Sequence, residues 1–231
     1  MLASFELGDQ AELWVAAAVY QSADDSVFNI SVPQWASSSR IELLGGFAGH
    51  EESAEARDWI ANRTVIDGEG LRHGAILAGC VVRIDGFVFD HCQIAAFFSA
   101  QSFMGTSPRF DHCLFQNSSQ YAMYDAGTEN LSVSATNCIF SGPRDYVAIN
   151  NPNRSFYLNH CLFNGVTYQN MYLSEDSASR IANTIFLDTF APAIPEGAVT
   201  PLLINCLFYP DQNPLCHLAA PGGIFCDPGI S

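Results

Sequence analysis

The chain has 231 residues, of which 48% are hydrophobic and 14% are charged, so it can bury a substantial core and is not intrinsically disordered. All nine basic residues are arginine, and with 24 acidic residues the formal net charge is −15. Such a charge repels nucleic-acid phosphates and anionic lipids, which excludes nucleic acid as a partner. No apolar run reaches the roughly 18 to 20 residues of a membrane-spanning helix, so no membrane span is expected.

The N-terminus lacks the basic start and the long apolar stretch of a secretory signal peptide. The periodic pattern begins almost at once, at Leu13, and we therefore expect a fragment whose N-terminal cap is missing. Three apolar phrases open the chain: LWVAAAVY at Leu13–Tyr20, IELLGG at Ile41–Gly46 and TVIDG at Thr64–Gly68. Their aliphatic and β-branched residues predict strands in the first coils, over residues 13–68.

Six later segments align without gaps, and their closing Phe recurs after 26, 25, 23, 23 and 22 residues. They are RIDGFVF (Arg83–Phe89), RFDHCLF (Arg109–Phe115), SATNCIF (Ser134–Phe140), YLNHCLF (Tyr157–Phe163), RIANTIF (Arg180–Phe186) and LLINCLF (Leu202–Phe208). A repeat of this length without a helical stripe is typical of one coil of a parallel β-helix. The chain is predicted to be a single all-β domain of about nine coils, with regular coils over 82–210 and a C-terminal loop or cap over 211–231.

The columns of this alignment predict which side chains face the core. The second, fifth and seventh positions are mostly apolar, and the seventh is Phe in all six segments. Side chains alternate between the two faces of a strand, so positions two and five cannot both face inward on one straight strand. The chain must therefore bend between the third and fifth positions. The fourth, bend position holds residue types that tolerate a left-handed backbone: Gly86, His112, Asn137, His160, Asn183 and Asn205. Stacked Asn side chains at this position are expected to form an amide ladder.

Four of the eight cysteines, Cys113, Cys138, Cys161 and Cys206, occupy the inward fifth position, where a free Cys acts as a small apolar filler. Disulfides between stacked neighbours stay an alternative, although parallel strands suit the bond poorly. Cys216 and Cys226 could close a C-terminal loop.

The tetrapeptide FDHC occurs twice, at Phe89–Cys92 and at Phe110–Cys113, and raises the question of a metal site. In the repeat register His112 and His160 lie two strand spacings apart, roughly 9.6 Å, which is too far for one zinc ion. We expect no metal site and no cofactor, with calcium at an acidic loop as the alternative. The candidate calcium loops are Ser22–Ser26, His50–Glu55 and Ser174–Ser177, but none has the alternating oxygen spacing of a dedicated calcium site.

Catalysis is the main alternative to a structural role. Asp85 and Asp111 occupy the outward third position on adjacent coils and are expected about 5 Å apart, close to the carboxylate spacing of a retaining glycosidase. Arg83 and Arg109 lie on the same face and would equally form a surface ion-pair lattice. The column continues to Thr136, Asn159, Ala182 and Ile204 without a flanking acid or base.

The sixth position should also face outward, yet it is aliphatic in all six segments: Val88, Leu114, Ile139, Leu162, Ile185 and Leu207. An exposed apolar stripe of this length marks an interface. We predict that loops of the chain or a partner cover it, and that it supports an oligomer.

The first coils resemble bacterial surface proteins of the polymorphic outer-membrane protein family. The phrases LWVAAAVY, IELLGGFAGHEES and ARDWIANRTVIDGEG carry the resemblance, with NCIFSG and NCLF further along. The resemblance implies a right-handed parallel β-helix with a pectate-lyase-like fold, an extracellular or cell-surface location, and no established catalytic residues. The expected function is a non-catalytic scaffold for adhesion, assembly or glycan binding, with a surface polysaccharide or another protein subunit as partner. The alternative is a polysaccharide-cleaving enzyme acting on the wall of Asp85 and Asp111.

Overall fold

The structure is a computed structural model that describes residues 10–31, 40–78, 81–98, 108–126, 132–142, 147–150, 155–165, 179–187 and 202–209. In this part the chain is almost entirely strand, with one 3-10 turn at Ala54–Ala56 and no α-helix. The predicted C-terminal cap at 211–231, Cys80, Cys216, Cys226 and the loop Ser174–Ser177 lie outside the described residues.

The strands form three sheets. Sheet A contains β1 (Gln10–Ala16), β4 (Arg40–Phe47), β7 (Val81–Asp85), β10 (Arg109–Asp111), β13 (Ser132–Thr136), β16 (Ser155–Asn159), β18 (Arg180–Ala182) and β20 (Leu202–Ile204). Sheet B contains β2 (Ala18–Tyr20), β5 (Thr64–Asp67), β8 (Phe87–Asp90), β11 (Leu114–Gln116), β14 (Ile139–Ser141), β17 (Leu162–Asn164), β19 (Ile185–Leu187) and β21 (Leu207–Tyr209). Sheet C contains β3 (Ser26–Ser31), β6 (His73–Ala78), β9 (Ile94–Phe98), β12 (Tyr121–Asp125) and β15 (Val147–Asn150).

Every strand pairs in parallel with the strand of a neighbouring turn in the same sheet, and strands inside a sheet pair on both sides. For example, β10 lies between β7 and β13, and β11 lies between β8 and β14. The chain visits the sheets in turn, an arrangement consistent with the predicted parallel β-helix. The aligned segments cover only sheets A and B, so sheet C was not part of the sequence pattern.

The register confirms the gapless alignment of the segments. Phe115 pairs with Phe89 and Phe140, and Phe163 pairs with Phe140 and Phe186. Their rings form a buried stack, with centroid distances of 5.1, 5.0, 4.5 and 4.9 Å from Phe89 to Phe186. The inward seventh position thus places one large apolar side chain in the core on each of these coils.

The predicted bend has a left-handed backbone wherever the alignment placed it. The φ angles are 78° at Gly86, 51° at His112, 55° at Asn137, 53° at His160, 50° at Asn183 and 50° at Asn205. A second bend, which directly follows sheet B strands, has the same conformation at His91, Asn117 and Gly165. Asn and His enter this region more readily than most residues, which explains their recurrence at the corners.

The amide ladder is only partly regular. Asn205 Nδ2 donates to Asn183 Oδ1 at 3.3 Å, as the stacking predicts. Because His160 occupies the next bend, Asn183 Nδ2 donates instead to Asn159 Oδ1 at 3.0 Å. A histidine in the column therefore diverts the ladder to the neighbouring position.

The cysteines of the fifth position are free and face the core, as predicted. Each thiol donates to a carbonyl of the preceding coil; Cys138 Sγ reaches Phe110 O at 3.5 Å, and Cys161 Sγ reaches Ala135 O at 3.4 Å. Burial raises the pKa of Cys161 to about 11, and it raises the pKa of Cys92 to about 12. Since the thiolate is the reactive species, we expect these thiols to react slowly in the folded protein.

Two substitutions within β14 test the assignment of inner and outer faces. Phe140→Ala should lower the free energy of unfolding by about 3 to 5 kcal/mol, because it removes a fully buried ring from the stack. Its neighbour Ile139 is 40% exposed, so Ile139→Ala should cost less than about 1 kcal/mol. Urea unfolding followed by circular dichroism measures both, and equal losses would contradict the assignment.

Alkylation of the native protein tests the burial of the thiols. At pH 8, iodoacetamide should leave Cys92, Cys138 and Cys161 unmodified, whereas unfolding in urea should expose all three. Cys206, which is half-buried, should react faster and serves as the internal control. Peptide mass mapping reads each site separately, and rapid native labelling of Cys138 would contradict the structure.

Candidate functional site

The outer face of sheet A carries two parallel rows of side chains. We call the first the polar row; in register from coil to coil it contains Glu12, Glu42, Arg83, Arg109, Ser134, Tyr157 and Arg180. The second row contains Trp14, Leu44, Asp85, Asp111, Thr136, Asn159, Ala182 and Ile204. Asp85 and Asp111 are direct register partners on adjacent coils, as the alignment predicted.

The expectation that these two carboxylates line an open wall is wrong. Asp85 is 1% exposed and Asp111 is 3% exposed. Both point away from the apolar core, but other side chains of the wall cover them. Two buried carboxylates on adjacent coils would repel each other strongly unless cations lie between them.

Arginines supply that compensation. Asp85 contacts Arg57 Nη2 at 2.7 Å and Arg83 Nη2 at 2.6 Å. Asp111 accepts hydrogen bonds from Arg83 Nε and Arg109 Nε, both at 2.9 Å. The charges therefore alternate along one chain of contacts, Arg57, Asp85, Arg83, Asp111 and Arg109. Each carboxylate is held by two guanidinium groups, and Arg83 joins the two coils.

Arg83 is the centre of this network, because it also contacts Glu42 Oε2 through Nη1 at 3.1 Å. Burial alone would lower the pKa of Arg83, but its hydrogen bonds to Asp111 and Glu42 and the nearby carboxylate charges outweigh burial and raise that pKa. The guanidinium is thus a permanent cation whose donors are directed at three carboxylates.

His112 completes the enclosure of Asp85. Its Nδ1 lies 3.0 Å from Asp85 Oδ1, and its Nε2 lies 3.2 Å from Asn137 Nδ2. When the amide of Asn137 donates to Nε2, the imidazole carries its proton on Nδ1 and donates it to the carboxylate. His112 is therefore engaged at both ring nitrogens within the wall.

A loop over residues 48–63, which we call the strap, connects β4 to β5 and crosses this corner. Arg57 of the strap donates through Nη1 to Gly45 O at 3.1 Å and Asp85 O at 3.2 Å. The ring of Trp59 stacks on His112 with a centroid distance of 4.9 Å. A Cβ at Gly86 would lie 2.9 Å from Trp59 Cβ, so the bend has no side chain where the strap crosses it.

Sequence reasoning missed the roles of Arg57 and Trp59. A signal for them was present: the bend residue is Gly at Gly46 and Gly86, the two coils beneath the strap, and His or Asn in the later aligned coils. Loss of a side chain at a stacked corner indicates that another segment passes close to the backbone.

The two FDHC copies adopt the same local conformation at different corners. His91 and His112 both have a left-handed backbone, with φ of 45° and 51°. The cysteine that follows each histidine turns inward, and its thiol donates to the carbonyl two residues earlier, at 3.4 Å for Cys92 and 3.3 Å for Cys113. The tetrapeptide is thus a strand-to-corner motif. Within the described residues, no group of three or more His, Cys, Asp or Glu side chains is arranged to hold a metal ion.

The accessible carboxylates of this wall are Glu12 and Glu42, which are register partners on the first two coils of sheet A. They line a cleft of about 380 Å³ together with Glu55, Arg57, Trp59, Arg83, Leu44 and Ala54. Sequence reasoning missed this pair, because the first two coils were not aligned with the polar row. Glu42 occupies the position that Arg83 and Arg109 occupy in the next two coils.

A second cleft, of about 520 Å³, adjoins the first along the solenoid axis. It is lined by Arg40, Glu42, Val81, Val82, Arg83, Arg109 and Ser134. Glu42 and Arg83 belong to both clefts. We call the two adjoining clefts together the groove; the polar row lines it from Glu12, on the first strand of sheet A, to Ser134, on the fifth.

The predicted apolar stripe forms one row on the outer face of sheet B, extended at its N-terminal end by Val65 and Val19. Its coverage is uneven. Val88 is 8% exposed, Leu114 and Leu162 are half-buried, and Ile139, Ile185 and Leu207 are each about 40% exposed. The chain itself therefore covers the row at Val88 but leaves Ile139, Ile185 and Leu207 partly exposed. That a partner covers these three side chains stays a prediction.

In the acidic loop His50–Glu55, the carboxylate of Glu51 accepts hydrogen bonds from the backbone of its own turn. Its Oε1 accepts from the backbone N–H of Ala48 at 2.6 Å, and its Oε2 accepts from Gly49 and His50. These backbone hydrogen bonds, that of Ala48 first, lower the pKa of Glu51 to about 2. In Ser22–Ser26, Ser22 Oγ accepts from the backbone N–H of Asp24 at 3.1 Å.

No protein-family model, curated protein or solved structure significantly matches the chain. No helix in the described part of the chain has the length and apolarity that a membrane crossing requires. Functional inference therefore depends on the wall itself.

The two copies of FDHC provide a matched test of the buried network. Asp111→Asn should lower the free energy of unfolding by about 3 kcal/mol, because it removes the buried anion that Arg83 and Arg109 share. Asp90, the equivalent residue of the first copy, is 21% exposed in its side chain and accepts from Asn117 Nδ2 at 2.9 Å. Asp90→Asn should cost under about 1 kcal/mol. Urea unfolding compares the two, and a larger loss for Asp90→Asn would refute this account.

Proposed function

We propose that this chain is a right-handed parallel β-helix of about nine coils that serves as a non-catalytic extracellular or cell-surface scaffold for adhesion, assembly or glycan binding. The observation that carries the proposal is the burial of Asp85 and Asp111 beneath Arg57, Arg83 and Arg109. A catalytic carboxylate must reach the scissile bond, whereas these two hold arginines in place on the wall.

The surface location and the relation to the polymorphic outer-membrane proteins are supported by the phrases between Leu13 and Gly68. Two of these phrases have a clear structural use. IELLGG forms most of β4 and its Gly corner, and ARDWIANRTVIDG supplies Arg57 and Trp59 of the strap and then β5. A rod of stacked coils, with the strap over the bends at Gly46 and Gly86, is well suited to presenting long, rigid walls.

Two partners fit the walls. The half-exposed aliphatic row of sheet B suits another protein subunit, because burying Ile139, Ile185 and Leu207 would remove apolar surface from water. The groove over the polar row of sheet A suits a surface polysaccharide, since it offers carboxylate and guanidinium groups side by side.

The enzyme alternative has one specific observation in its favour. The cleft that contains Glu12 and Glu42 gathers two accessible carboxylates on adjacent coils beside Arg57 and Arg83. Strand stacking sets such carboxylates about 5 Å apart at the backbone, which is near the spacing of a retaining glycosidase. Glu42 is, however, already paired with Arg83, as an ion pair of the wall would be.

A cleavage assay separates the two functions. Incubation of the chain with acidic and neutral polysaccharides should release no new reducing ends and no unsaturated products. The variants Asp85→Ala, Asp111→Ala and Glu42→Gln serve as controls. Product formation that is lost in folded Glu42→Gln would refute the scaffold and assign catalysis to the Glu12 and Glu42 cleft. Loss only in folded Asp111→Ala would assign catalysis to the buried pair.

A further inference from the structure

We propose that the groove over the polar row binds an uncharged, hydroxyl-rich oligosaccharide that lies along the solenoid axis. The inference rests on the proposed non-catalytic function and names its ligand class. Register pairing places Glu12, Glu42, Arg83, Arg109, Ser134 and Tyr157 on successive strands of sheet A. Five strand spacings separate the first from the last, which gives a row about 24 Å long.

The spacing of the row matches an extended glycan. One strand spacing, about 4.8 Å, is close to the length of one sugar residue in an extended chain. Each sugar placed along the axis would therefore meet one new side chain of the row. A β-solenoid wall provides this repetition through backbone pairing alone, without any need for sequence identity between the coils.

The chemistry of the row is mixed in the way that hydroxyl groups require. Glu12 and Glu42 accept hydrogen bonds, Arg109 donates them and is 57% exposed in its side chain, and Ser134 does both. Tyr157 follows Ser134 in the row, one strand beyond the two clefts, and is 43% exposed. Its ring offers an apolar face on which the C–H face of a sugar can stack.

The charge of the groove favours an uncharged ligand. Four arginines, Arg40, Arg57, Arg83 and Arg109, face five carboxylates, Glu12, Glu42, Glu55, Asp85 and Asp111. The cations are therefore matched within the wall. A polyanionic chain would find no excess positive charge here, and it would approach a protein whose formal net charge is −15.

The groove is also preorganised. Arg83 is fixed by contacts to Glu42, Asp85 and Asp111, and Arg109 is fixed by Asp111. Trp59, which lines the first cleft, is held by its stack on His112. These side chains would lose little conformational freedom when a ligand binds, which reduces the entropic cost of recognition.

Isothermal titration calorimetry of the full chain tests the proposal. The probes are cellopentaose, maltopentaose and penta-N-acetylchitopentaose, with pentagalacturonate as the anionic comparison. We expect at least one uncharged pentasaccharide to bind. Glu12→Gln and Tyr157→Ala should each weaken that binding about tenfold, because each removes one direct contact. Glu69→Gln, at an exposed carboxylate of another corner, should retain the wild-type affinity.

Several results would overturn the proposal. One is that none of the three uncharged probes binds to a protein that unfolds cooperatively in urea. Another is that only pentagalacturonate binds. The third is that neither Glu12→Gln nor Tyr157→Ala changes the affinity. Chromatography of the sugar after titration shows whether it has been shortened, and so separates failure of the groove proposal from failure of the proposed non-catalytic function. Intact sugar bound at the groove supports both. Shortened products would retain the groove and refute the non-catalytic function, whereas no binding and no cleavage would refute the groove alone.

Discussion

Backbone pairing between successive coils is the constraint on which the rest of the structure depends. Parallel hydrogen bonding in register holds equivalent residues about 4.8 Å apart, so every column of the sequence becomes a row of touching side chains. In the interior this stacks Phe on Phe from Phe89 to Phe186. On the outside it stacks aliphatic residues on sheet B and polar residues on sheet A.

The same constraint creates an electrostatic difficulty, because stacking places like charges beside each other. Asp85 lies beside Asp111, and Arg83 lies beside Arg109. The wall resolves it by pairing diagonally, so that Arg83 contacts the carboxylates of both coils and Arg57 approaches from the strap. Buried charges stay in the folded state because each has partners of opposite sign. The same pairing leaves the surface of the groove close to neutral.

Much of the site's location was visible in the sequence, but the burial of its two aspartates was not. The alignment placed Asp85 and Asp111 together on sheet A, and their register pairing confirms it. Exposure was assigned wrongly because alternation along a strand shows only which side chains point away from the core. It does not show that the strap, 28 residues before Asp85 at Arg57, returns to cover that side chain. Glu12 and Glu42 were missed because their coils depart from the aligned phrase and match the others only through pairing.

The sequence by itself determined the repeat, the bend column and the inward Phe and Cys columns. These follow from local rules: side chains alternate along strands, and Gly, Asn and His accept a left-handed backbone. The two FDHC copies are an example: at two different bends the same four residues form a strand end, a left-handed bend residue and an inward thiol. Only the tertiary structure decided that Asp111 is enclosed while Asp90 is partly exposed, and that Glu12 and Glu42 line a cleft. The reason is that burial and ion pairing depend on segments far apart in sequence, which local preference cannot specify.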